Sequence, residues 1–233
     1  NFAKALSLSL KKPFIAINHL EGHALSPKLN FNIKYPYLLF LISGGHTQYL
    51  TVNKLDDYKR LGTTIDDALG EVFDKTAKLL NLGYPGGPKI EELAKRGNKN
   101  RFVLPKPIFN RGGSNLSFAG LKTAILRTKE YIKTDEDRRD LAASFQKTIL
   151  DILYKKTKNA FEQYLKLYPK NRTLIVAGGV AANKQIRFTL KKLCQEENFK
   201  IYFPDLNFCT DNAAMIALAG LERFKKKKFN NQN

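Results

Sequence analysis

The sequence predicts an α/β fold, and three stretches carry that expectation. Between Pro36 and Asn53, two apolar runs rich in aromatic and branched residues flank Ser43-Gly44-Gly45-His46, which reads as strand, tight turn, strand. Thr173–Asn183 is again an apolar strand running into a glycine pair, Gly178-Gly179, followed by small residues and by Asn183 where a helix starts. Thr63–Leu82 has helical periodicity, with Ile65, Leu69, Val72, Phe73 and Leu80 on one face. Paired glycines let a turn take positive φ and bring its N–H groups close to an anion. Either glycine pair alone reads as readily as an ordinary turn; together they point to a nucleotide cleft.

Taken in order, Asn1–Lys11 sets Phe2, Ala5, Leu6 and Leu10 at helical spacing, and Pro13–Asn18 reads as a short buried strand. A helical turn or two follows, in which His19 and His23 are four apart and so project from one face, as a bidentate metal clip requires. The helix over 63–82 lines Asp67, Glu71 and Asp74 at i, i+4 and i+7. Like charges so spaced repel, which in a basic chain invites a role such as accepting ribose hydroxyls, against the plainer reading of a solvated face. Gly83–Pro88 ends that helix in a rigid loop, and Ile90–Lys95 starts another. After the irregular Arg101–Asn115, Leu116–Arg127 turns helical, and Asp135–Tyr168 is one long helix or two. Lys184–Gln195 is a basic helix, Lys200–Pro204 a strand, and Cys209–Gly220 a final helix with Asp211 at its N-terminus. Gly113–Thr123 lacks the glycine spacing of a P-loop, so no Walker site is expected.

The 233 residues suit one large domain or two small ones. No stretch of about 18 apolar residues could cross a membrane, and no signal-peptide pattern opens the chain, so a cytoplasmic protein is expected. Cys194 and Cys209, the two cysteines, form no CxxC and suit a reducing compartment. Forty Lys and Arg against 21 Asp and Glu give a net charge of +19, a field that draws polyanions and makes nucleic-acid affinity salt-dependent.

Seven segments in order resemble one family across essentially the whole chain. They are His19-x-x-x-His23, Ser43-Gly-Gly-His-Thr-Gln48, Asp66-Asp-Ala-x-Gly-Glu-x-Phe-Asp-Lys75, Tyr84-Pro-Gly-Gly-Pro88, Ser117-Phe-x-Gly-Leu-Lys122, Ala177-Gly-Gly-Val-Ala-Ala-Asn183 and Cys209-Thr-Asp-Asn-Ala-Ala-Met215. They look like the bacterial and organellar type of tRNA adenosine threonylcarbamoyltransferase, of the universal family once described as O-sialoglycoprotein endopeptidases. His46 and Gln48 point to the bacterial type. The resemblance implies an actin-like fold, shared with sugar kinases and heat-shock ATPases, whose two lobes close over a nucleotide.

It also implies one divalent metal per subunit, iron in preference to zinc, held by His19, His23 and Asp211. Two imidazoles and one carboxylate leave open positions, the catalytic rather than the structural pattern. Leu41, Ile42, Ser43, Gly44, Gly45, Asp74, Gly87 and Asn183 are implied to line a threonylcarbamoyl-AMP site, and His46 is a candidate for taking the adenine proton. The implied partners are tRNA, a shorter paralogue of the same fold and a P-loop ATPase. The family begins with a strand and a Gly-Ile-Glu-Thr-Ser-like phosphate loop that this sequence does not contain. Residues 1–34 are therefore expected as the remnant of a first lobe carrying the two-His helix, 35–224 as the second lobe, and 225–233 as a basic, solvated tail.

Three rivals remain at this stage. A metallopeptidase would place its general base directly after the first histidine, where Leu20 stands. A sugar kinase of the same fold fits poorly with the metal ligands and the charge. An inactive tRNA-binding or dimerisation scaffold fits poorly with the presence of all three ligand residues.

Overall fold

The structure is a computed structural model and describes residues 1–230. Helices α1 (Phe2–Ser9) and α2 (His19–Leu25) precede a three-stranded meander, β1 (Tyr37–Ile42), β2 (Thr47–Lys54) and β3 (Asp57–Thr63). Helices α3 (Leu69–Leu79), α4 (Gly86–Ala94), α5 (Ala119–Thr128) and α6 (Asp135–Leu167) follow, then β4 (Thr173–Ala177), α7 (Lys184–Glu196), β5 (Lys200–Tyr202) and α8 (Ala213–Lys225). The strands form one five-stranded sheet of order β3-β2-β1-β4-β5, antiparallel within the meander and parallel across β1, β4 and β5. That mixed α/β sheet is the expected class.

The unbroken apolar run of β1 has a physical reason. All six residues are buried because both faces of the sheet are covered. Leu38, Phe40 and Ile42 enter the larger core with Val72, Phe73, Phe145 and Ile149, whereas Tyr37, Leu39 and Leu41 alternate into a second cluster with Ala24, Ile175 and Ala177. The edge strand β3 is covered less, and its Asp57-Tyr-Lys-Arg-Leu-Gly-Thr63 is accordingly polar.

The segment from Asp135 to Leu167 is one helix, and its N-terminus is closed reciprocally. The Thr134 hydroxyl accepts the Asp137 N–H at 3.1 Å, while Asp137 Oδ2 accepts the N–H groups of Lys133 and Thr134 at 2.8 and 2.7 Å. These backbone donors lower the Asp137 carboxyl to about 2. Because its folded value lies below the ordinary carboxylate value, the stabilisation is present above about pH 4 and disappears as pH falls towards 2. Thr134→Ala is expected to cost about 1 kcal/mol in denaturant unfolding.

Several expectations are corrected. Pro13–Asn18 is no strand: it makes one isolated bridge, Phe14 to Asn230. The helix expected from Thr63 begins at Leu69, since Asp57–Thr63 is β3, and Ile65 is 59% exposed. The carboxylate stripe is not left repelling, because Lys75 and Lys122 both reach Asp67, at 3.2 and 3.0 Å, and Lys75 also reaches Glu71. Gly44 and Gly45 do not take positive φ, whereas Gly178 does. The tail is exposed over residues 225–230, as expected, but it is not free of the body: the Asn230 side chain accepts the Ala16 N–H and Lys228 pairs with Asp56. Positions 231–233 of that tail lie outside the described residues.

Candidate metal centre and ligand cleft

Helix α2 starts where the Asn18 side chain accepts the Leu20 N–H at 2.8 Å, which makes His19 the first helical residue and sets His23 one turn later. Gly22 lies between them. A Cβ there would sit 2.9 Å from Ile216 Cδ1, so its absence lets α2 press directly on α8. The α8 N-terminus is capped by Asn212, which accepts the Met215 N–H at 2.9 Å, and Asp211 immediately precedes that cap.

The close helix packing brings the three residues together. His19 Nε2 and His23 Nε2 lie 2.9 and 3.0 Å from the same oxygen, Asp211 Oδ1, and one ligand atom from each residue fits within 4.8 Å. Burial pushes the His23 imidazole below its ordinary value, against its hydrogen bond to the Asp211 carboxylate, which raises it. Asp211 is held low, chiefly by its hydrogen bond with His19. Two imidazole nitrogens and one carboxylate oxygen converging on one point suit a borderline divalent ion such as iron or zinc.

Glu21 is not part of this cluster. Its carboxylate is buried against Arg223, whose Nε and Nη2 donate to Oε2 at 3.0 and 2.8 Å, and Tyr58 donates to Oε1 at 3.3 Å. A glutamate engaged in this way is unsuited to serve as the base of a metallopeptidase.

Beside the cluster, a cleft of about 450 Å³ is lined by Gly44, Asp74, Tyr84, Gly87, Gly179, Asn183 and Thr210, among others. Thr210 precedes Asp211, so the metal residues and the cleft share a loop. Leu41 and Ile42 point their side chains into the two cores, so only their backbone could face a ligand. Ser43 closes the turn, donating its N–H to His46 O at 2.8 Å and accepting the His46 N–H on Oγ at 3.1 Å. The turn is clamped to α3 by Leu69 N–H to Thr47 Oγ1, at 2.8 Å, and by Gly70 N–H to Ser43 O, at 3.2 Å. Gly45 and His46 stand exposed at its tip. Asp74 Oδ1 accepts the Gly86 N–H at 2.8 Å, and Asn183 caps α7 by accepting the Ile186 N–H at 2.9 Å. Gly179 belongs to the glycine pair read from the sequence, and Tyr84 and Thr210 lie inside quoted motifs, although neither was given a role there.

The glycines divide into two kinds. At Gly70, Gly86 and Gly178 a Cβ would lie 2.4 to 2.8 Å from backbone atoms, so the chain itself demands glycine. At Gly44, Gly45 and Gly87 a Cβ would meet nothing within 4 Å, and none of the three has positive φ. Two of these, Gly44 and Gly87, line the cleft, where lacking a side chain keeps space for something other than the chain. Gly87→Val is therefore expected to leave the unfolding midpoint nearly unchanged while abolishing ligand binding, whereas Gly178→Ala is expected to destabilise by several kcal/mol, since φ +98° strains any side chain. Calorimetric titration and denaturant unfolding of the two variants check this.

The family model described as tRNA N6-adenosine threonylcarbamoyltransferase matches residues 1–218. A protein of that name from Pelagibacter ubique (strain HTCC1062) is 64% identical over 230 residues, covering 98% of this chain and 64% of the relative. Another, from Bartonella henselae, is 52% identical over 233 residues, covering 96% of this chain and 64% of the relative. The chain thus spans less than two thirds of the length of these relatives. Among solved structures, full-length HypF in its phosphate- and nucleotide-bound form superposes with TM-score 0.69 at 13% identity, over 96% of this chain and 37% of that one. The activator of the 2-hydroxyisocaproyl-CoA dehydratase from Clostridium difficile with bound ADPNP gives TM-score 0.50 at 17% identity, over 92% of this chain and 70% of that one. These likenesses show a shared fold, consistent with the actin-like one expected from the sequence. With the family model matching residues 1–218 of the 233 and a relative at 64% identity, the chain belongs to the tRNA N6-adenosine threonylcarbamoyltransferase family.

Proposed function

We propose that the protein containing this chain modifies tRNA, passing the threonylcarbamoyl group of threonylcarbamoyl-AMP to N6 of the adenine adjacent to the anticodon in tRNAs reading codons that begin with A. The observation that carries this reading is the convergence of His19, His23 and Asp211 beside a cleft in which two glycines, Gly44 and Gly87, are not required by the chain's own packing. The adenine N6 attacks the carbonyl carbon, the bond from that carbon to the phosphate oxygen breaks, AMP leaves, and N6 gives up a proton. A divalent ion, iron in preference to zinc, supplies Lewis acidity to an acyl or phosphoryl oxygen when bound by the three ligand residues.

The chain's own groups do the rest. The turn uses the N–H groups of Ser43 and His46 for its closure, and those of Gly44 and Gly45 serve developing negative charge. Asp74 accepts from ribose hydroxyls, and Tyr84, 80% exposed at the cleft, stacks on a purine. His46 takes the adenine proton. A same-fold paralogue and a P-loop ATPase assist multiple turnover in the cytoplasm.

The test is mass analysis of tRNA nucleosides after incubating a family-length protein with threonylcarbamoyl-AMP and an unmodified transcript. Gain of the threonylcarbamoyl mass on the adenine beside the anticodon, lost on metal chelation and regained with Fe2+, is expected. Unchanged tRNA in the presence of metal and adenylate would overturn the reading.

A further inference from the structure

A second concavity lies across α4, α6 and α7, on the far side of the wall that bounds the ligand cleft. It has a volume of about 590 Å³, and its lining includes Lys95, Lys99, Gln146, Lys147, Phe188 and Lys192. We infer that this groove seats the tRNA substrate, stacking an unpaired base on Phe188 and holding the adjoining phosphates with lysines; the inference rests on the tRNA-modifying reading above.

Charge favours a polyanion. Asp151 is the one acid in the lining and is neutralised by Lys106 and Lys147 at 2.6 and 2.9 Å, while Lys95 and Lys192 pair with Glu92 and Glu196 outside the lining. Lys99 pairs with no carboxylate among the described residues, and neither does Lys191, one turn along α7 from Phe188. Phe188 itself is 66% exposed, with Lys184 and Lys192 one turn to either side. A single exposed aromatic is ordinary on a protein surface. An aromatic set among lysines in a concave wall is the arrangement that binds single-stranded nucleic acid, the ring taking a base and the charges its backbone.

Gln146 supplies an independent observation. It is 4% exposed, and its Nε2 has no hydrogen-bond partner. The orientation of the amide follows from its neighbours. Asn183 Oδ1 accepts the Ile186 N–H, so Asn183 must present Nδ2 to Gln146, which accepts on Oε1 at 3.3 Å. That leaves Nε2 as a buried donor without an acceptor in the lining of the groove, an arrangement that costs free energy unless a ligand or water supplies one.

The groove and the cleft are joined. Asn183 and Glu91 line the cleft, while Gln146 and Gln185 line the groove. Glu91 accepts the N–H groups of Lys184 and Gln185 at 2.7 and 3.3 Å, so one hydrogen-bonded wall separates the two. A strand held on α7 is thereby positioned next to the residues that line the adenylate cleft.

The experiment is fluorescence anisotropy of the full chain with a labelled, unmodified tRNA transcript across a salt series. Phe188→Ala is expected to weaken binding about tenfold and Phe188→Trp to restore it. The double variant Lys99→Gln/Lys192→Gln is expected to make the slope of log affinity against log salt shallower by about 2. Unfolding midpoints should not move, since all three side chains are at the surface. If the unaltered chain binds tRNA in a salt-dependent way while every variant binds equally well, the groove is not the site and this inference falls alone. If the Lys99→Gln/Lys192→Gln variant loses affinity for an acidic peptide while binding tRNA as the unaltered chain does, the lysines serve a protein partner and the inference also falls. No tRNA binding by the unaltered chain would overturn it together with the reading on which it rests.

Discussion

Asp211→Ala is expected to strip the divalent ion from the protein while leaving its fold almost untouched. The side chain is 76% exposed and contributes no apolar packing, so the unfolding midpoint should stay within a degree or two. Its Oδ1 is nonetheless the atom on which both imidazoles converge, at 2.9 and 3.0 Å. Losing one of three protein ligands should weaken metal binding by more than the 10- to 100-fold that loss of an outer-shell partner costs. Metal content per chain, read by emission spectrometry after gel filtration, should fall to the background of a chelated sample, and acyl transfer with it. His19→Ala should behave similarly, because that imidazole is half exposed, whereas His23→Ala should also lose stability because its ring is buried. Wild-type metal content in the Asp211 variant would dismiss the assignment of the centre.

The second large effect lies behind the metal helix. Arg223→Ala should destabilise the protein by about 3 to 5 kcal/mol, because it leaves the Glu21 carboxylate buried with Tyr58 as its remaining donor. Removing both charges with Glu21→Gln and Arg223→Met should recover much of that loss, since the larger part of it is an uncompensated charge rather than a missing attraction. A double-mutant cycle in denaturant measures the coupling, and strictly additive effects would show that the pair does not act as a unit. Because α2 carries both histidines and α8 follows Asp211, the Arg223 variant should also bind metal more weakly.

The sequence showed most clearly those elements whose chemistry is local. The β1 run, buried on both faces, could only be apolar, and the helix starts at Asn183 and Asn212 carried their own capping residues. What stayed hidden depends on contacts made at a distance. β3 is an edge strand half open to water, so its Lys59 and Arg60 masked the strand pattern, and the acidic pair Asp66-Asp67 imitated a helix start. Those two side chains instead anchor α5: Asp66 accepts the Phe118 N–H at 2.7 Å and Asp67 pairs with Lys122. Pro13–Asn18 had the composition of a strand but no neighbour to complete one beyond Asn230. At the site, spacing and family pattern picked out His19, His23 and Asp211, the three side chains that the fold brings together. The wall formed by Glu91 and Gln146 became visible only when α4, α6 and α7 were brought together, because nothing in the positions of those two residues marks them.

The parallel pairing of β1 with β4 also bears on how the chain comes off the ribosome. The meander is local and closes within microseconds of its synthesis, but roughly 130 residues separate Ile42 from Thr173. At bacterial translation speeds of about 5 to 20 residues per second, the second edge of Tyr-Leu-Leu-Phe-Leu-Ile waits on the order of ten seconds for its partner strand. Throughout that interval the nascent chain presents an apolar strand edge to its neighbours, which makes this edge the natural client of a holding chaperone and the first place where overexpression would drive aggregation.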